Sequence, residues 1–314
     1  MKLITIGTGN RGAVIADLMA KRGTRVNRVP LFKCFAVSNE IDLLKTLKGI
    51  PTPKRFHVFG KTLDSKDVTS IVNSILSYHE IYEGFLLTTA LEEEFGHAMS
   101  VELCRKLRKI SEEPVISLGI LPNLSHTNIF VLKERIQELR KASDILILFD
   151  DSQNTEPMIL NSLNTISMVG EIDIRKRTTG EVVVDTSDII NSMRKDGVSV
   201  IGIAERKLPH WLFRKYFSRN EYEIKGLKAR RMIEMCEEAI NSNMSSGVDI
   251  ESASSALIVF SGDPDEITMD GMFSCINMLE KINPELEIRY GDYPIKTNKI
   301  SVVLLFSGIK KLKF

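Results

Sequence analysis

The first half of the chain alternates between short apolar runs and helical patterns, and this alternation restricts the possible folds more than any other feature. The apolar runs are almost continuous, which is typical of strands buried on both faces. Strands that alternate with helices predict a parallel sheet in an α/β domain. The predicted strands are residues 3–6, 31–37, 85–88, 115–121 and 145–149, and the predicted helices are 12–22, 66–79, 95–110 and 124–141.

The second half has a different rhythm. A predicted helix from Glu156 to Arg175 joins the halves, and several strands then follow one another near the end of the chain. Such an order predicts a mixed α+β domain rather than further parallel units. The predicted strands here are 182–184, 198–204, 256–260, 286–290 and 300–306, and the predicted helices are 187–194, 228–241 and 268–281.

Charge and composition exclude several classes of function. Lys and Arg number 42 and Asp and Glu number 41, so a net charge of +1 gives no global attraction to nucleic acid or membrane. Four scattered cysteines predict reduced thiols, and five histidines without ligand spacing predict no metal site. The chain begins in strand-like sequence and contains no membrane-length apolar run, so we expect no signal peptide and a cytoplasmic location.

A glycine-rich loop joins the first predicted strand to the first predicted helix. It matches G-x-G-x-x-G, in which backbone amides and the helix N-terminus face a phosphate. A tight turn without a ligand is the alternative. A nicotinamide site would need an acidic residue about 20 positions further on, and Glu40 lies later than that. The loop residues are Gly7, Thr8, Gly9, Asn10, Arg11 and Gly12.

Two aspartates, Asp185 and Asp188, open the predicted helix at 187–194, within GEVVVDTSDIINSMRKDGVSVIGIAE (residues 180–205). Side chains three positions apart share one face of the first helical turn. One interpretation is a helix N-cap followed by a first-turn acid, which the helix dipole favours. The other interpretation is a pair of functional carboxylates.

This stretch resembles the catalytic loop of FtsZ, the bacterial and archaeal relative of tubulin. The match includes Gly180, Asp185 and Asp188 and continues to Gly197 and Gly202. ITIGTGNRGAV resembles the first phosphate loop of that family, and AVSNEIDLL resembles its segment after the second strand. SSALIVFSGDPDEITMDG and ISVVLLFSGI resemble its closing strands, so the resemblance extends over nearly the whole chain.

The resemblance implies a tubulin/FtsZ-like fold in three parts. These are a Rossmann-like GTPase-type domain at 1–155, a central connecting helix at 156–178 and a smaller α+β domain at 179–314. It implies GTP or GDP as ligand, with Mg²⁺, and subunits that stack head to tail. Asp185 and Asp188 would then act in trans on the nucleotide of the next subunit, and the nucleotide contacts would be residues 7–12, Asn39, Thr89, Gly96 and Asn161.

The chain departs from the family at its most specific motif, Gly-Gly-Gly-Thr-Gly-Thr-Gly. The matching stretch reads TTALEEEFGHAMS, which places Glu92, Glu93 and Glu94 where small phosphate-binding residues belong. We interpret these glutamates as caps of the helix that begins near Phe95, with a metal site as the alternative.

Three functions remain open at this stage. The first is a divergent FtsZ-like protein of the cytoskeleton or of cell division, with weak or altered guanine-nucleotide binding and slow hydrolysis. The second is a pseudo-GTPase adaptor that has lost nucleotide binding. The third is an NAD(P)-dependent oxidoreductase.

An insertion at residues 205–226 carries the single tryptophan, Trp211, among aromatic and basic side chains. It is longer than the corresponding loop of the family. The interpretations are a flap over its own domain, a protein contact, a membrane-surface helix and, least favoured, a platform for single-stranded nucleic acid. We predict a protein or membrane contact through residues 206–222 and expect no nucleic-acid partner.

Overall fold

The computed structural model describes residues 1–60, 64–78, 81–169, 171, 182, 184–208, 221–241, 244–245 and 247–314, with the backbone alone at 221–224. The chain divides into two compact units. The first contains Met1–Leu160, Gly197–Ser199 and Phe314, and the second contains Asn161–Asp196 and Val200–Lys313.

The first unit contains a parallel sheet with helices between its strands. The strand order β8-β7-β6-β1-β4-β5 places β1 at the centre, where it pairs in parallel with both β4 and β6. The predicted α/β fold with a parallel sheet is therefore confirmed. The strands are β1 (Leu3–Thr8), β4 (Phe32–Ser38), β5 (Arg55–His57), β6 (Phe85–Ala90), β7 (Val115–Leu121) and β8 (Ile145–Asp150), with a small hairpin of β2 (Arg25–Val26) and β3 (Val29–Pro30).

The helices of this unit follow the strands in the predicted order, except α2, which was not predicted. They are α1 (Gly9–Arg22), α2 (Ile41–Thr46), α3 (Ser65–Leu76), α4 (Glu94–Ile110), α5 (Ile129–Ala142) and α6 (Thr155–Val169), the last of which continues into the second unit. The register aligns Gly7 of β1 with Ala36 of β4 and with Thr88 of β6. The carboxyl ends of these three strands therefore meet at one edge, where ligands bind in sheets of this kind.

The second unit has the mixed sheet expected of an α+β domain. Strand β10 pairs in parallel with β11 and antiparallel with β12. The elements are α7 (Thr186–Met193), β9 (Val198–Lys207, of which the first two residues belong to the first unit), α8 (Glu221–Asn241), β10 (Ser255–Gly262), α9 (Met269–Ile282), β11 (Glu287–Pro294) and β12 (Lys299–Ile309).

Several predicted helices have different limits in the structure, and the differences in where α1, α5 and α8 begin are the clearest. Helix α1 begins at Gly9 rather than at residue 12. The predicted helix 124–141 is interrupted, because Asn128 accepts hydrogen bonds from Phe130 N and Val131 N and so starts α5 at Ile129. Helix α8 starts at residue 221, seven residues before its predicted start at 228. Most of the predicted continuation of α6, and Val183 of the predicted strand 182–184, lie outside the described residues.

All four cysteines are free thiols, as predicted, and all four are buried. In the part of the chain that the structure describes, no helix is both long enough and apolar enough to cross a membrane.

Candidate functional site

The glycine-rich loop is the start of α1, and it packs tightly on the neighbouring strand. A Cβ at Gly12 would collide with the carbonyl oxygen of Thr88 on β6. The Thr88 hydroxyl in turn donates to the Gly12 carbonyl oxygen at 3.0 Å. Gly9 has a φ of +70°, a left-handed conformation that favours glycine. Packing and backbone conformation therefore account for both glycines without a ligand.

The hydroxyl of Thr8, the threonine of the loop, also has hydrogen-bond partners within the protein. Its side-chain oxygen, Thr8 Oγ1, donates to the Gly96 carbonyl oxygen at 2.9 Å and lies 2.6 Å from Ser100 Oγ. Both partners belong to α4, and Thr8 itself is buried. Although Thr8 is the N-cap residue of α1, its side chain makes no capping hydrogen bond. The amides at the start of α1 therefore have to find another acceptor.

Glu93 supplies that acceptor from the turn between β6 and α4. Its Oε2 accepts a hydrogen bond from Asn10 N at 2.6 Å, and its Oε1 accepts one from Arg11 N at 2.9 Å. Glu93 does occupy the N-cap position of α4, as interpreted from the sequence, but its side chain makes no capping hydrogen bond to that helix. The positive end of α1 explains the preference, since free amides at a helix N-terminus attract anions. Glu92 and Glu94 are exposed.

The environment of Glu93 opposes its charge. Burial raises the pKa of the Glu93 carboxyl, and the charges of Glu92 and Glu40 add to this effect. The hydrogen bonds from Arg11 N and Asn10 N act in the opposite direction but do not cancel the shift. The site is therefore already rich in negative charge before any phosphate enters it.

The arginine of the loop does not offset this charge, because it is bound to two other carboxylates. Arg11 Nη2 lies 2.8 Å from Asp151 Oδ1 and 2.8 Å from Glu156 Oε1. Burial alone would lower the pKa of Arg11, but Asp151 and Glu156 together raise it, so the guanidinium stays charged. Arg11 thus links the start of α1 to the segment after β8.

The other predicted nucleotide contacts are divided between the two units. Asn39 lies just after β4, and its carbonyl oxygen is 3.2 Å from His57 Nε2. Thr89 is buried in β6 beside Gly96, so both lie close to the glycine-rich loop. Asn161 belongs to the second unit, where its side-chain amide donates to Glu205 Oε2 at 3.1 Å. The roles of these residues toward a nucleotide stay predictions.

The aspartate pair of the second unit stands at the start of α7. Asp185 is the N-cap, and its Oδ1 accepts from Asp188 N at 2.8 Å and from Ser187 Oγ at 2.7 Å. These two hydrogen bonds, the Ser187 one foremost, lower the pKa of the Asp185 carboxyl. Asp188 Oδ1 lies 3.9 Å from Arg289 Nε. Both aspartates therefore have local structural partners, and the first of the two interpretations describes their contacts within one subunit.

Sequence reasoning missed two residues that shape the glycine-loop site. Arg135 of α5 donates from Nη1 to the carbonyl oxygens of Leu91, at 2.7 Å, and Glu92, at 2.9 Å, and so holds the turn that carries Glu93. Ser38 donates to Asn10 Oδ1 at 3.2 Å. One available signal was the coincidence of a phosphate-type loop with an acidic turn at the same sheet edge. Among the described residues, no cluster of His, Cys, Asp and Glu side chains could hold a metal ion.

The core of the aromatic insertion, including Trp211, lies at residues 209–220, outside the described residues. At its start, Arg206 forms an ion pair with Glu238 of α8. The predicted protein or membrane contact of residues 206–222 stays a prediction.

Comparison with known proteins relates the chain to one family along its length. A family model described as the C-terminal domain of tubulin-like CetZ matches residues 151–313, just over half of the chain. The tubulin-like protein CetZ3 of Haloferax volcanii is 28% identical to this chain over 347 residues. That alignment covers 98% of this chain and 88% of the relative.

Solved structures share the fold. CetZ1 from Haloferax volcanii, a GDP-bound monomer, matches with a TM-score of 0.79 at 24% identity, over 100% of this chain and 96% of that chain. CetZ2 from the same organism, solved as a GTPγS-bound protofilament, matches with a TM-score of 0.74 at 20% identity, over 100% and 95%. The tubulin/FtsZ-like fold implied by the sequence resemblance is therefore confirmed, and the limits of its three parts, 1–155, 156–178 and 179–314, stay predictions.

Proposed function

Since this chain belongs to the tubulin-like CetZ family, we propose that it is a self-assembling cytoskeletal protein whose subunits stack head to tail. A related structure, that of CetZ2, is a protofilament, which supports self-association. A head-to-tail contact joins two different surfaces, so it leaves a free surface at each end and extends into a filament. The family membership also favours a tubulin-like function over the oxidoreductase alternative.

We further propose that the chain binds guanine nucleotide weakly, at the carboxyl edge of the parallel sheet in its first unit. Nucleotide is present in both related structures, as GDP in CetZ1 and as GTPγS in CetZ2. We propose weak binding because the Glu93 carboxylate already accepts hydrogen bonds from the backbone amides of Asn10 and Arg11. In this arrangement the start of α1 does not fit a phosphate, because both amides already bind the Glu93 carboxylate. We therefore assign no hydrolytic step to the site, and a role for Mg²⁺ stays a prediction.

The same observation favours a second candidate, a pseudo-GTPase adaptor. In that case Glu93 would replace the nucleotide permanently, and the fold would serve as an assembly or interaction surface. Asp185 and Asp188 would then be needed for the structure of α7 and for contacts between subunits. Their predicted action in trans on a neighbour's nucleotide belongs only to the first candidate.

Nucleotide content and assembly can be measured on the same preparation. The protein is purified gently in Mg²⁺ and denatured, and the supernatant is separated by anion exchange. A second portion is sedimented at several protein concentrations without nucleotide, with GDP and with GTP. We expect substoichiometric guanine nucleotide and pelleting that increases with protein concentration.

The other outcomes separate the candidates. Near-stoichiometric GDP or GTP would contradict weak binding. Pelleting by a protein that carries no nucleotide and binds none when it is added would establish the adaptor. A monomer at every concentration and with every nucleotide would contradict self-assembly.

A further inference from the structure

The carboxylate of Glu93 makes the contacts that an anionic ligand would make at the start of α1. It accepts two hydrogen bonds, one per oxygen, from consecutive backbone amides at 2.6 and 2.9 Å. Gly9 brings the backbone so close that an added Cβ would collide with Glu93 Oε2. A carboxylate and a phosphate both accept charge-assisted hydrogen bonds from such donors. The two anions therefore cannot occupy this corner together.

We propose that Glu93 is an internal competitor for nucleotide phosphate, which keeps the site closed until a nucleotide displaces it. The inference rests on the nucleotide site proposed above and identifies the residue that sets its affinity. A nucleotide can bind only those molecules whose Glu93 has moved away from α1. Its apparent Kd is therefore the intrinsic Kd divided by the fraction of such molecules. Glu93 thus sets a nucleotide concentration below which the site remains occupied by its own chain.

The turn that carries Glu93 is held by two neighbouring elements and by a hydrogen bond of its own. Arg135 of α5 donates to the carbonyl oxygens of Leu91 and Glu92, and Leu91 N donates to Ile120 O of β7 at 2.9 Å. The turn also closes on itself, because Glu93 N donates to Ala90 O at 3.2 Å. Since its backbone is fixed by these contacts, Glu93 reaches α1 from a defined position rather than as a mobile surface side chain.

The charges around the start of α1 make the displacement of Glu93 by a phosphate possible but unfavourable. Burial raises the pKa of the Glu93 carboxyl, so the surroundings disfavour its negative charge. An incoming phosphate would face the same surroundings, since Glu92 and Glu40 add negative charge and Arg11 is committed to Asp151 and Glu156. Removal of the Glu93 charge therefore helps a phosphate twice, by freeing two donors and by removing one repulsion.

The test compares Glu93→Gln with Glu94→Gln, which makes the same chemical change on the adjacent, exposed residue on the other side. GDP binding is measured by titration calorimetry with nucleotide-stripped full-length protein. In parallel, hydrogen–deuterium exchange is followed without nucleotide in peptides that contain residues 7–12. Glu93→Ala, which frees both amides completely, is a second variant. With two variants, a folding defect in one of them does not decide the test.

We expect faster exchange at residues 7–12 in both Glu93 variants and a GDP affinity roughly 10- to 100-fold above that of the wild type, the range expected for a charged hydrogen-bonded competitor. Glu94→Gln should match the wild type in both measurements. Equal GDP affinity of wild type and Glu93→Gln would overturn the competition while leaving the proposed nucleotide site intact. Faster exchange without GDP binding by any variant would overturn both, and Glu93 would then be only a structural cap.

Discussion

Asp17 is a buried charge whose partners are nearly all backbone. Its Oδ1 accepts hydrogen bonds from Gly49 N at 2.6 Å and Ile50 N at 2.9 Å, and Lys21 Nζ lies 2.6 Å from Oδ2. These contacts tie the segment after α2 to the middle of α1. An asparagine there would lose the charge and place an amide group among donors, which leaves buried groups unsatisfied.

We expect Asp17→Asn to lower the free energy of unfolding by about 2–3 kcal/mol. Asp42→Asn is the matched control, because Asp42 pairs with Lys45 on an exposed surface, where such pairs contribute up to about 1 kcal/mol. Urea unfolding of both variants and the wild type measures the difference. Equal losses in the two variants would show that the Asp17 contacts do not stabilise the fold.

The contribution of Asp17 should depend on pH in a defined direction. Burial pushes the pKa of the Asp17 carboxyl upward, but the hydrogen bonds from Lys21 and the three amides of residues 48–50 outweigh it, so the pKa lies below the ordinary 3.8. A lowered pKa stabilises the folded state above the unfolded value, and this stabilisation is lost as the pH falls through the folded value. The Tm difference between wild type and Asp17→Asn should therefore be constant from pH 7 to 5 and shrink below about pH 4. An unchanged difference at pH 3 would contradict this assignment.

Helix α7 depends on Asp185 for its first turn, and this complicates any test of a catalytic role. Replacement of an N-cap by alanine destabilises a protein by about 1 kcal/mol, whereas asparagine caps as well as aspartate. We expect Asp185→Ala to lower the Tm and Asp185→Asn to preserve it. If the carboxylate acts at the contact with the next subunit, both variants should lose GTP turnover and assembly. Full turnover in Asp185→Asn would leave Asp185 as a helix cap alone.

The braced turn between β6 and α4 allows a second test of the Glu93 contact at a distance. Arg135→Ala removes two hydrogen bonds to the turn without touching Glu93 or α1. We expect faster hydrogen exchange in peptides that contain residues 7–12, by a smaller factor than in Glu93→Ala. Arg105→Ala is the control, since Arg105 pairs with Glu102 on the exposed face of α4. Equal exchange in the two arginine variants would mean that the turn holds its shape without Arg135.

Elements with a local sequence signal were predictable, and contacts between distant elements were not. The order strand, glycine-rich loop, helix at residues 3–22 follows from apolar pattern and glycine spacing. The start of α5 had a local signal, the cap Asn128, which the apolar periodicity of residues 124–141 concealed. The direction of Glu93 had none, because it depends on Arg135, more than 40 residues later in sequence, and on a cap that Thr8 does not supply.

At the scale of the whole chain, the resemblance to the tubulin/FtsZ superfamily was confirmed because its evidence was spread over both halves. The match of residues 151–313 to a tubulin-like family model includes the stretch around Asp185 on which the resemblance first rested. The proposed nucleotide site was harder to predict, since a family motif shows which residues are missing and not what replaces them. Here a carboxylate stands in that motif and accepts hydrogen bonds from two amides of the glycine-rich loop, Asn10 N and Arg11 N.

The effect of GTP on assembly should show how strongly Glu93 weakens the coupling between nucleotide binding and self-association. A ligand shifts the equilibrium between free and assembled subunits only if its affinities for the two states differ. A site closed by Glu93 has little affinity for nucleotide in either state, so nucleotide should have little effect on assembly. We expect the critical concentration for pelleting of the wild type to change little when GTP is added. In Glu93→Gln, GTP should lower that concentration severalfold, and Glu94→Gln should behave as the wild type. Sedimentation across a protein dilution series measures all three. A wild-type critical concentration that falls with GTP as steeply as that of Glu93→Gln would mean that Glu93 leaves the site freely and that assembly remains under nucleotide control.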